Sequence, residues 1–391
     1  MKSKLNLLFI VALAFCAYNC SHKGDSSVSE VIVDGNKMYV FSLNDLKSDT
    51  TILSLSSFVE DCILVHLETS EDAYFKPQNT TVTEKYIGIR QSQAPYKLFD
   101  RSGKFLCNVG GIGNGPGEYS YTPYDDIIDD ENGLIYLAPF AFNEKIGVYN
   151  TSGTFLKYIY APERLNKPKI YLSGDILTVV HLPFEGAKSL VYQFNVNTGE
   201  LLKELALPIH LAMQPNFDNE MLSTRNMSNY IDFQFFNIFE SNDTLYHYDA
   251  ANNKTLPLFT ITYGPSENIY FQYIILNKDL FISNVRCMTW IGSCTKTGIV
   301  ATDLKNKTAS WIKVVNDYYG NLPVAPKFHN GYFVHNVQPE ELMEDIENRL
   351  TAKNCTESDR QLLKKTLSSL KEGANNVVFI GKLKNEINAK L

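Results

Sequence analysis

The sequence predicts an all-β protein, a six-bladed β-propeller with four-stranded blades, and three observations carry that prediction. The chain holds 23 Tyr and 23 Phe beside only 2 Trp, a balance that suits strands. A hairpin-forming stretch recurs about every 51 residues. With 44% hydrophobic residues and only 22 Gly and 15 Pro among 391, the chain can bury a large core and is neither disordered nor low-complexity.

In chain order, Lys2 and Lys4 precede an apolar stretch over residues 5–17 that is broken only by Asn6. It falls short of the ~20 residues that cross a bilayer as a helix, so residues 1–19 read as an export signal. Ala17 stands three places before Cys20, and this spacing resembles the lipobox of bacterial lipoproteins. The resemblance implies that Cys20 is acylated and begins the mature chain. Tyr18 and Asn19 depart from that pattern, which prefers small residues there, and ordinary signal cleavage is the other reading. Residues 20–30 are then a lipid-bearing cysteine and a small, polar, flexible tether. Two or three acyl chains hold a protein at a membrane, since each buried methylene contributes about 0.8 kcal/mol.

The hairpin repeat follows. Phe99-Asp100-Arg101-Ser102-Gly103-Lys104-Phe105 returns as Tyr149-Asn150-Thr151-Ser152-Gly153-Thr154-Phe155 and again as Phe194-Asn195-Val196-Asn197-Thr198-Gly199-Glu200. Weaker copies lie at Asp249 and at Asp303. In each, an aromatic-bearing strand runs into Asp or Asn and a short turn, with Gly in the first three, because these residues accept the dihedrals of a tight reversal. A unit of this length holds four strands, the content of one blade. Such a sheet is apolar on both faces, and blades standing around an axis cover one another. The short apolar runs 86–90, 134–138, 176–181 and 271–275 are expected to be the inner strands.

Residues 338–373 break the β pattern. Leu342, Ile346 and Leu350 recur at helical spacing, as do Leu363, Leu367 and Leu370, which predicts a helical hairpin inserted in the last blade. Ser358 is the expected cap of its second helix, and the insertion is read as a stabilising excursion on the rim rather than a lid. The roughly 325 remaining residues of the domain, 31–391, hold about six repeat units. Residues 376–383 return to strand character, and 31–41 are the expected partner that closes the ring.

The most distinctive run is Gly110-Gly111-Ile112-Gly113-Asn114-Gly115-Pro116-Gly117-Glu118-Tyr119. It is not a phosphate-binding loop, since no Gly-Lys-Ser/Thr ends it and no helix follows. Gly113, Gly115 and Gly117 permit unusual backbone angles, Pro116 fixes a turn, and Glu118 is placed to accept loop amides. The run is read as a connection between blades, with ligand contact at an axial opening as the alternative. Together with the preceding hairpin it resembles the Gly-x-Gly-Pro-Gly-Glu-Phe/Tyr segment of NHL-like and TolB-like six-bladed propellers, and above all the lipoprotein group of the Gram-negative envelope with that fold. Residues 59–69, 257–264 and 375–383 are similar to the opening, middle and closing strands of that group. The resemblance implies a fold and an address in the cell envelope, outer-membrane-attached and periplasmic or surface-exposed. It implies no reaction.

Chemistry-bearing clusters are few. A formal charge of −7, from 36 Lys and Arg against 43 Asp and Glu, excludes nucleic acid as an expected partner. The acidic stretch Asp125-Asp126-Ile127-Ile128-Asp129-Asp130-Glu131 lacks the alternating ligands of a calcium loop and reads as solvated carboxylates flanking an Asn132-Gly133 turn. His329 and His335 have no third ligand near them, and Asn330-Gly331 is expected to turn the chain between them. His66, His181, His210 and His247 are isolated. No metal site, catalytic residue or cofactor is therefore assigned. Outside the signal and tether, Cys62, Cys107, Cys287, Cys294 and Cys355 remain. Cys287 and Cys294 are candidates for a local disulfide, with buried free thiols as the other reading.

The expected function is a membrane-anchored binding or scaffold module for a peptide, glycan or protein partner. The alternative is a metal-dependent propeller enzyme of lactonase or lyase type, with ligands gathered from several blades at one end of the axis. A carboxylate-rich axial cavity favours the enzyme, and an aromatic axial face favours recognition.

Overall fold

The structure is a computed structural model that describes residues 28–237, 244–264, 269–287 and 296–387. It is a six-bladed β-propeller with four-stranded blades and two helices near its C-terminal end. Blade 1 comprises Pro77–Val82, Tyr86–Gln91, Tyr96–Asp100 and Phe105–Val109. Blade 2 comprises Asp125–Asp129, Leu134–Ala138, Asn143–Asn150 and Phe155–Leu165, and blade 3 Lys169–Ser173, Ile176–Val180, Ser189–Asn195 and Leu201–Ala206. Blade 4 is Glu220–Leu222, Asp232–Phe236, Thr244–Asp249 and Lys254–Thr262; blade 5 is Ile269–Ile275, Leu280–Cys287, Gly298–Asp303 and Thr308–Asn316. Blade 6 takes Phe328–His329, Tyr332–Val337 and Val377–Lys382 from the end of the chain and Ile63–His66 from its beginning.

Each pair of neighbouring blades shares one hydrophobic cluster, so six clusters fill six interblade spaces. Between blades 2 and 3, for example, Tyr136, Val148 and Ile159 meet Ile170, Leu177 and Tyr192. Outer strands alternate instead, as Leu201–Ala206 does between exposed and half-buried residues, because only one of their faces is covered.

The repeat hairpin joins the third and fourth strands. Asp100 Oδ1 accepts the amides of Ser102 and Lys104 and the Ser102 hydroxyl, and Asn150 Oδ1 does the same for Ser152 and Thr154. Asn195, Asp249 and Asp303 hold their turns in the same way. The turns also dock on the preceding blade: a Cβ on Gly153 would lie 2.3 Å from the Asn108 carbonyl oxygen, and one on Gly103 would lie 2.2 Å from that of His66. In the first two copies the Gly is thus a blade-to-blade contact as well as a turn, whereas a Cβ on Gly199 of the third would meet nothing within 4 Å.

Three expectations are corrected. The apolar runs 86–90, 134–138 and 176–181 form second strands, and of the four only 271–275 falls on an innermost strand. The innermost strands of blades 1 to 3 instead carry Thr80-Thr81, Asp125-Asp126 and Lys169, because their free edge faces the axis while the second strands are sandwiched between blades. The ring is closed by Ile63–His66, not by 31–41. Residues 28–42 form a hairpin of Val28–Val33 and Asn36–Ser42, turned at Asp34-Gly35 with both φ values positive, and its second strand pairs in parallel with Lys254–Thr262 of blade 4. Ile63–His66 lies a short loop ahead of blade 1, so closing the ring with it needs only a short connection. The first strand, Val28–Val33, begins within the stretch read as tether. Thr50–Ser54 adds to blade 5, and so the N-terminal segment covers the outer edges of blades 4 and 5 before it supplies the outer strand of blade 6.

The two helices, α1 (Pro339–Thr351) and α2 (Glu357–Ser369), connect the second and third strands of blade 6. Thr356 caps α2, not Ser358: its side chain accepts the Asp359 amide while Asp359 reaches back, a capping box that needs its residues three apart. Leu342, Ile346 and Leu363 join a cluster with Leu55, Phe58, Leu322 and Val324 on the rim of blades 5 and 6.

Candidate functional site

The propeller has two faces. On the entry face the chain enters the first strand of each blade; on the turn face the first and second strands are joined. A cavity of about 410 Å³ opens on the axis at the entry face. Lys169 opens the first strand of blade 3, Arg90 pairs with Asn79 near the start of blade 1, Arg286 pairs with Tyr270 near the start of blade 5, and Lys327 precedes blade 6. These four cations line the cavity, and no carboxylate does so among the described residues. The remaining polar lining is amide and hydroxyl, from Asn79, Thr80, Ser223, Thr224, Gln272, Asn284 and Asn336, together with the His329 imidazole at its floor. Arg286 and Lys327 are exposed at the mouth, whereas Arg90 and Lys169 are sunk in the wall.

Beneath the cavity, Arg225 lies at the centre of a buried network. It follows the short first strand of blade 4 with φ of 51°, which turns its side chain path away from a regular strand. Its Nη1 donates to Asp125 Oδ2 at 2.7 Å and to the Ile170 carbonyl at 2.9 Å. Its Nη2 donates to the Asp126 carbonyl at 3.0 Å and to His329 Nε2 at 3.1 Å. Lys169 Nζ lies 3.6 Å from Asp125 Oδ1, Arg90 Nε lies 3.6 Å from Asp126 Oδ1, and the Tyr96 hydroxyl donates to Asp126 Oδ2 at 2.8 Å.

The titration of these groups follows from their neighbours. Burial alone would raise Asp125, but the charges of Arg225, Lys169 and Arg90 overcome it and bring its pKa down to about 2. Burial, reinforced by Arg225, pushes His329 well below the usual imidazole range, so the ring is neutral and accepts from the guanidinium through Nε2. Burial lowers the Lys169 ammonium, with Asp125 opposing. Asp125 and Asp126 thus pair with three cations, Arg90, Lys169 and Arg225, while Arg286 and Lys327 line the cavity outside that pairing; a third buried acid, Asp232, interacts with Arg225. Orphaned buried atoms, among them Arg90 Nε, Arg225 Nε and Thr224 Oγ1, border this region.

An aromatic shelf continues from the cavity over the entry face. Lys169 Nζ sits 4.6 Å from the Tyr124 ring centroid, Tyr124 meets Phe140 edge-on at 5.8 Å, and Phe140 contacts both Tyr121 and Phe217. Tyr121 and Phe217 are each 68% exposed. Lys167 holds this shelf from below: it is buried, pairs with Glu220 at 2.5 Å, donates to the Phe217 and Asn219 carbonyls, and lies over the Phe140 and Phe217 rings.

The residues singled out in the sequence fall elsewhere. Gly113, Gly115, Pro116, Gly117 and Glu118 form a blade 1 to blade 2 connection in which Glu118 Oε2 accepts the Gly115 amide at 2.8 Å. Of the three glycines only Gly117 has positive φ, 76°, while Gly113 leaves room for the Glu118 carboxylate, which a Cβ would meet at 2.0 Å. The run packs on Tyr149 and Tyr158, and its continuation supplies Tyr121, Pro123 and Tyr124 to the site. Asp125 and Asp126, read as solvated, are buried and ion-paired. His329 and His335 lie on separate strands, with the Asn330-Gly331 turn between them. Among the described residues no three His, Cys, Asp or Glu side chains gather as metal ligands. Cys62, Cys107 and Cys355 are free thiols and Cys287 is in a disulfide; Cys294, its expected partner, and Cys20 lie outside the described residues. Arg90, Lys169, Arg225, Arg286 and Lys327 were not foreseen, since one axial residue per blade leaves no local spacing to read.

A larger cleft of about 1410 Å³ on the turn face mixes Lys278, Lys305 and Lys382 with Glu84, Asp279 and Asp303, so it selects neither sign of charge. The axial cavity does.

Comparison with known proteins places residues 38–382 in one match, to the family described as a domain of unknown function (DUF4934). The search of curated proteins gave no match. Among solved structures, the hydrazine synthase of Kuenenia stuttgartiensis is similar at TM-score 0.38 and 13% identity, over 59% of this chain and 65% of that one. U3-55K is similar at 0.42 and 11%, over 81% and 98% of the two chains. An oligogalacturonate lyase in complex with manganese is similar at 0.39 and 8%, over 81% and 80%. Likenesses at this level carry no function across.

Proposed function

The chain belongs to the DUF4934 family, and we propose that it is a binding module whose ligand enters the axial cavity with an anionic group foremost. The single observation that carries this reading is the charge of the cavity: Arg90, Lys169, Arg286 and Lys327 line it with no carboxylate among the described residues. In a protein of formal charge −7 this is a local reversal of sign. A concave, partly dry wall concentrates such a field and steers an opposite charge inward.

The same charges speak against the metal-dependent enzyme. The carboxylate, carbonyls and imidazole that converge on the axis already surround the Arg225 guanidinium, and the cations above would repel a divalent ion. The built-in cation thus takes the ligands that a metal would need.

The reading includes an envelope address. The sequence of Ala17 to Cys20 supports acylation of Cys20. Val28 lies at the entry-face end of its strand, because its partner strand runs parallel to Lys254–Thr262, which leads to blade 5. Val28, the first described residue after Cys20, and the cavity mouth therefore share a face. If Cys20→Ala partitions with membranes as tightly as the parent, the anchor is wrong.

The binding reading is tested with citrate as a compact carboxylate probe at matched ionic strength. Citrate is expected to raise the Tm of the parent chain and to leave that of Arg286→Glu/Lys327→Glu unchanged, since a ligand bound only to the folded state stabilises it. Equal shifts in both proteins contradict the assignment.

A further inference from the structure

Resting on the reading that the axial cavity is a ligand site, we infer that its ligand is an acidic carbohydrate, a saccharide bearing carboxylate or sulfate. Three features of the entry face, each from different elements, point to this chemistry.

The first is charge, which calls for an anion: Arg90 and Lys169 are sunk in the wall and Arg286 and Lys327 are exposed at the mouth. The exposed Arg286 guanidinium offers the paired donors that carboxylate and sulfate oxygens accept, while Arg90, held by Asp126 and the Pro123 carbonyl, adds its charge from the wall. The second is the rest of the polar wall. Asn79, Gln272 and Asn284 each present both a donor and an acceptor, and Thr80, Ser223 and Thr224 each add one hydroxyl, whereas the Asn336 amide is taken up by Thr80 and Asn376. Sugar hydroxyls also donate and accept, so a wall of amides and hydroxyls matches a polyhydroxylated ligand. The peptide backbone is a poorer match, since its donors and acceptors are separate groups spaced along an extended chain.

The third feature is the aromatic shelf. Tyr121 and Phe217 expose most of their rings to solvent on the face where the cavity opens, and Tyr124 and Phe140 join them to Lys169 in the cavity wall. Exposed rings that are fixed by their neighbours are costly to leave in water and supply binding area at little entropic cost. Lys167 fixes Phe217 and Phe140 here, with its ammonium against both rings and its bonds to the Phe217 and Asn219 carbonyls, and Phe140 in turn contacts Tyr121. The apolar C–H face of a pyranose lies flat on such a ring while its hydroxyl edge stays hydrated. The arrangement therefore reads from the inside out: an acid-bearing residue in the cavity, its hydroxyls on the amide wall, and the next sugar on Tyr121 or Phe217.

The test uses the full chain on an array of uronic-acid-containing, sulfated and neutral saccharides, with poly-L-glutamate titrated separately as an acid that is not a sugar. Binding is expected to the acidic saccharides alone, the two acidic groups telling carboxylate from sulfate, and poly-L-glutamate is expected to bind at least about tenfold more weakly. Arg286→Gln/Lys327→Gln should lower saccharide affinity by about tenfold or more, as loss of two charges at a site does. Tyr121→Ala/Phe217→Ala, which removes exposed rings, should lower saccharide affinity several-fold and leave poly-L-glutamate binding unchanged. Binding of poly-L-glutamate as tightly as any saccharide, untouched by the aromatic variant, overturns the carbohydrate inference and leaves the anion site standing. Binding of neutral saccharides, or no saccharide binding, also overturns it. Saccharide binding that Arg286→Gln/Lys327→Gln does not weaken overturns the cavity reading itself.

Discussion

Arg225 illustrates what one residue contributes at the axis. Its guanidinium is the shared partner of blades 2, 3 and 6, through Asp125 and the Asp126 carbonyl, the Ile170 carbonyl and His329. Removing one member of a buried ion pair strands the other, which costs about 3–5 kcal/mol. Arg225→Met should therefore lower the unfolding free energy by that order in a denaturant titration, and adding Asp125→Asn should recover part of the loss. No recovery would show that the pair does not act as a unit. The pH dependence separates two buried acids. Asp125, depressed to about 2, contributes stability that is fully present above about pH 4 and lost as pH falls through about 2. Asp232, which burial raises to about 7, works oppositely: stability is highest below about pH 4, declines as pH rises toward 7, and levels beyond it. Asp232→Asn should abolish that decline, measured as Tm between pH 4 and 8; an unchanged slope would place the titration elsewhere. None of these roles was legible in the sequence, because Asp125-Asp126 looks like the rest of an acidic turn until the fold turns it toward the axis.

At the scale of the element, the hairpin of strands three and four was the most legible feature and the ring's closure the least. Asp or Asn followed by Ser-Gly states its own mechanism, an Asx turn whose side chain accepts its own amides, and that local chemistry survives in every fold context. The same motif carries a tertiary message. Gly153→Ala places a methyl group 2.3 Å from the Asn108 carbonyl oxygen of blade 1, whereas Gly174, also at positive φ, has open space around it. Gly174→Ala should cost about 1 kcal/mol, the strain of the backbone alone, and Gly153→Ala clearly more, since blades must part. Equal losses in chemical unfolding would contradict the docking role. The closing strand is set instead by competition: residues 28–42 and 63–66 are both short and β-prone, and pairing partners distant in sequence decide between them. The α2 cap was missed for a smaller reason, since Thr356 and Ser358 are both good caps and only the three-residue spacing to Asp359 separates them.

Over the whole molecule, six blades share six apolar clusters, the N-terminal segment covers the edges of blades 4 and 5 and supplies the outer strand of blade 6, and the ring closes over an axis whose two ends differ. Periodicity reveals the blades because every blade must solve the same burial problem, but the axial side chains differ from blade to blade, and those differences make the site. The turn face carries mixed charge in its large cleft, while the entry face gathers cations above a guanidinium that holds the nearby acid. That polarity makes the entry face the proposed anion-binding end of the axis. It is tested most directly by soaking crystals of the protein in selenate and locating the anion by the anomalous scattering of selenium. A selenium peak is expected at the entry face, within hydrogen-bonding reach of the cations that line the cavity, Arg90, Lys169, Arg286 and Lys327. Selenate bound elsewhere, with the axial cavity holding none, would contradict it.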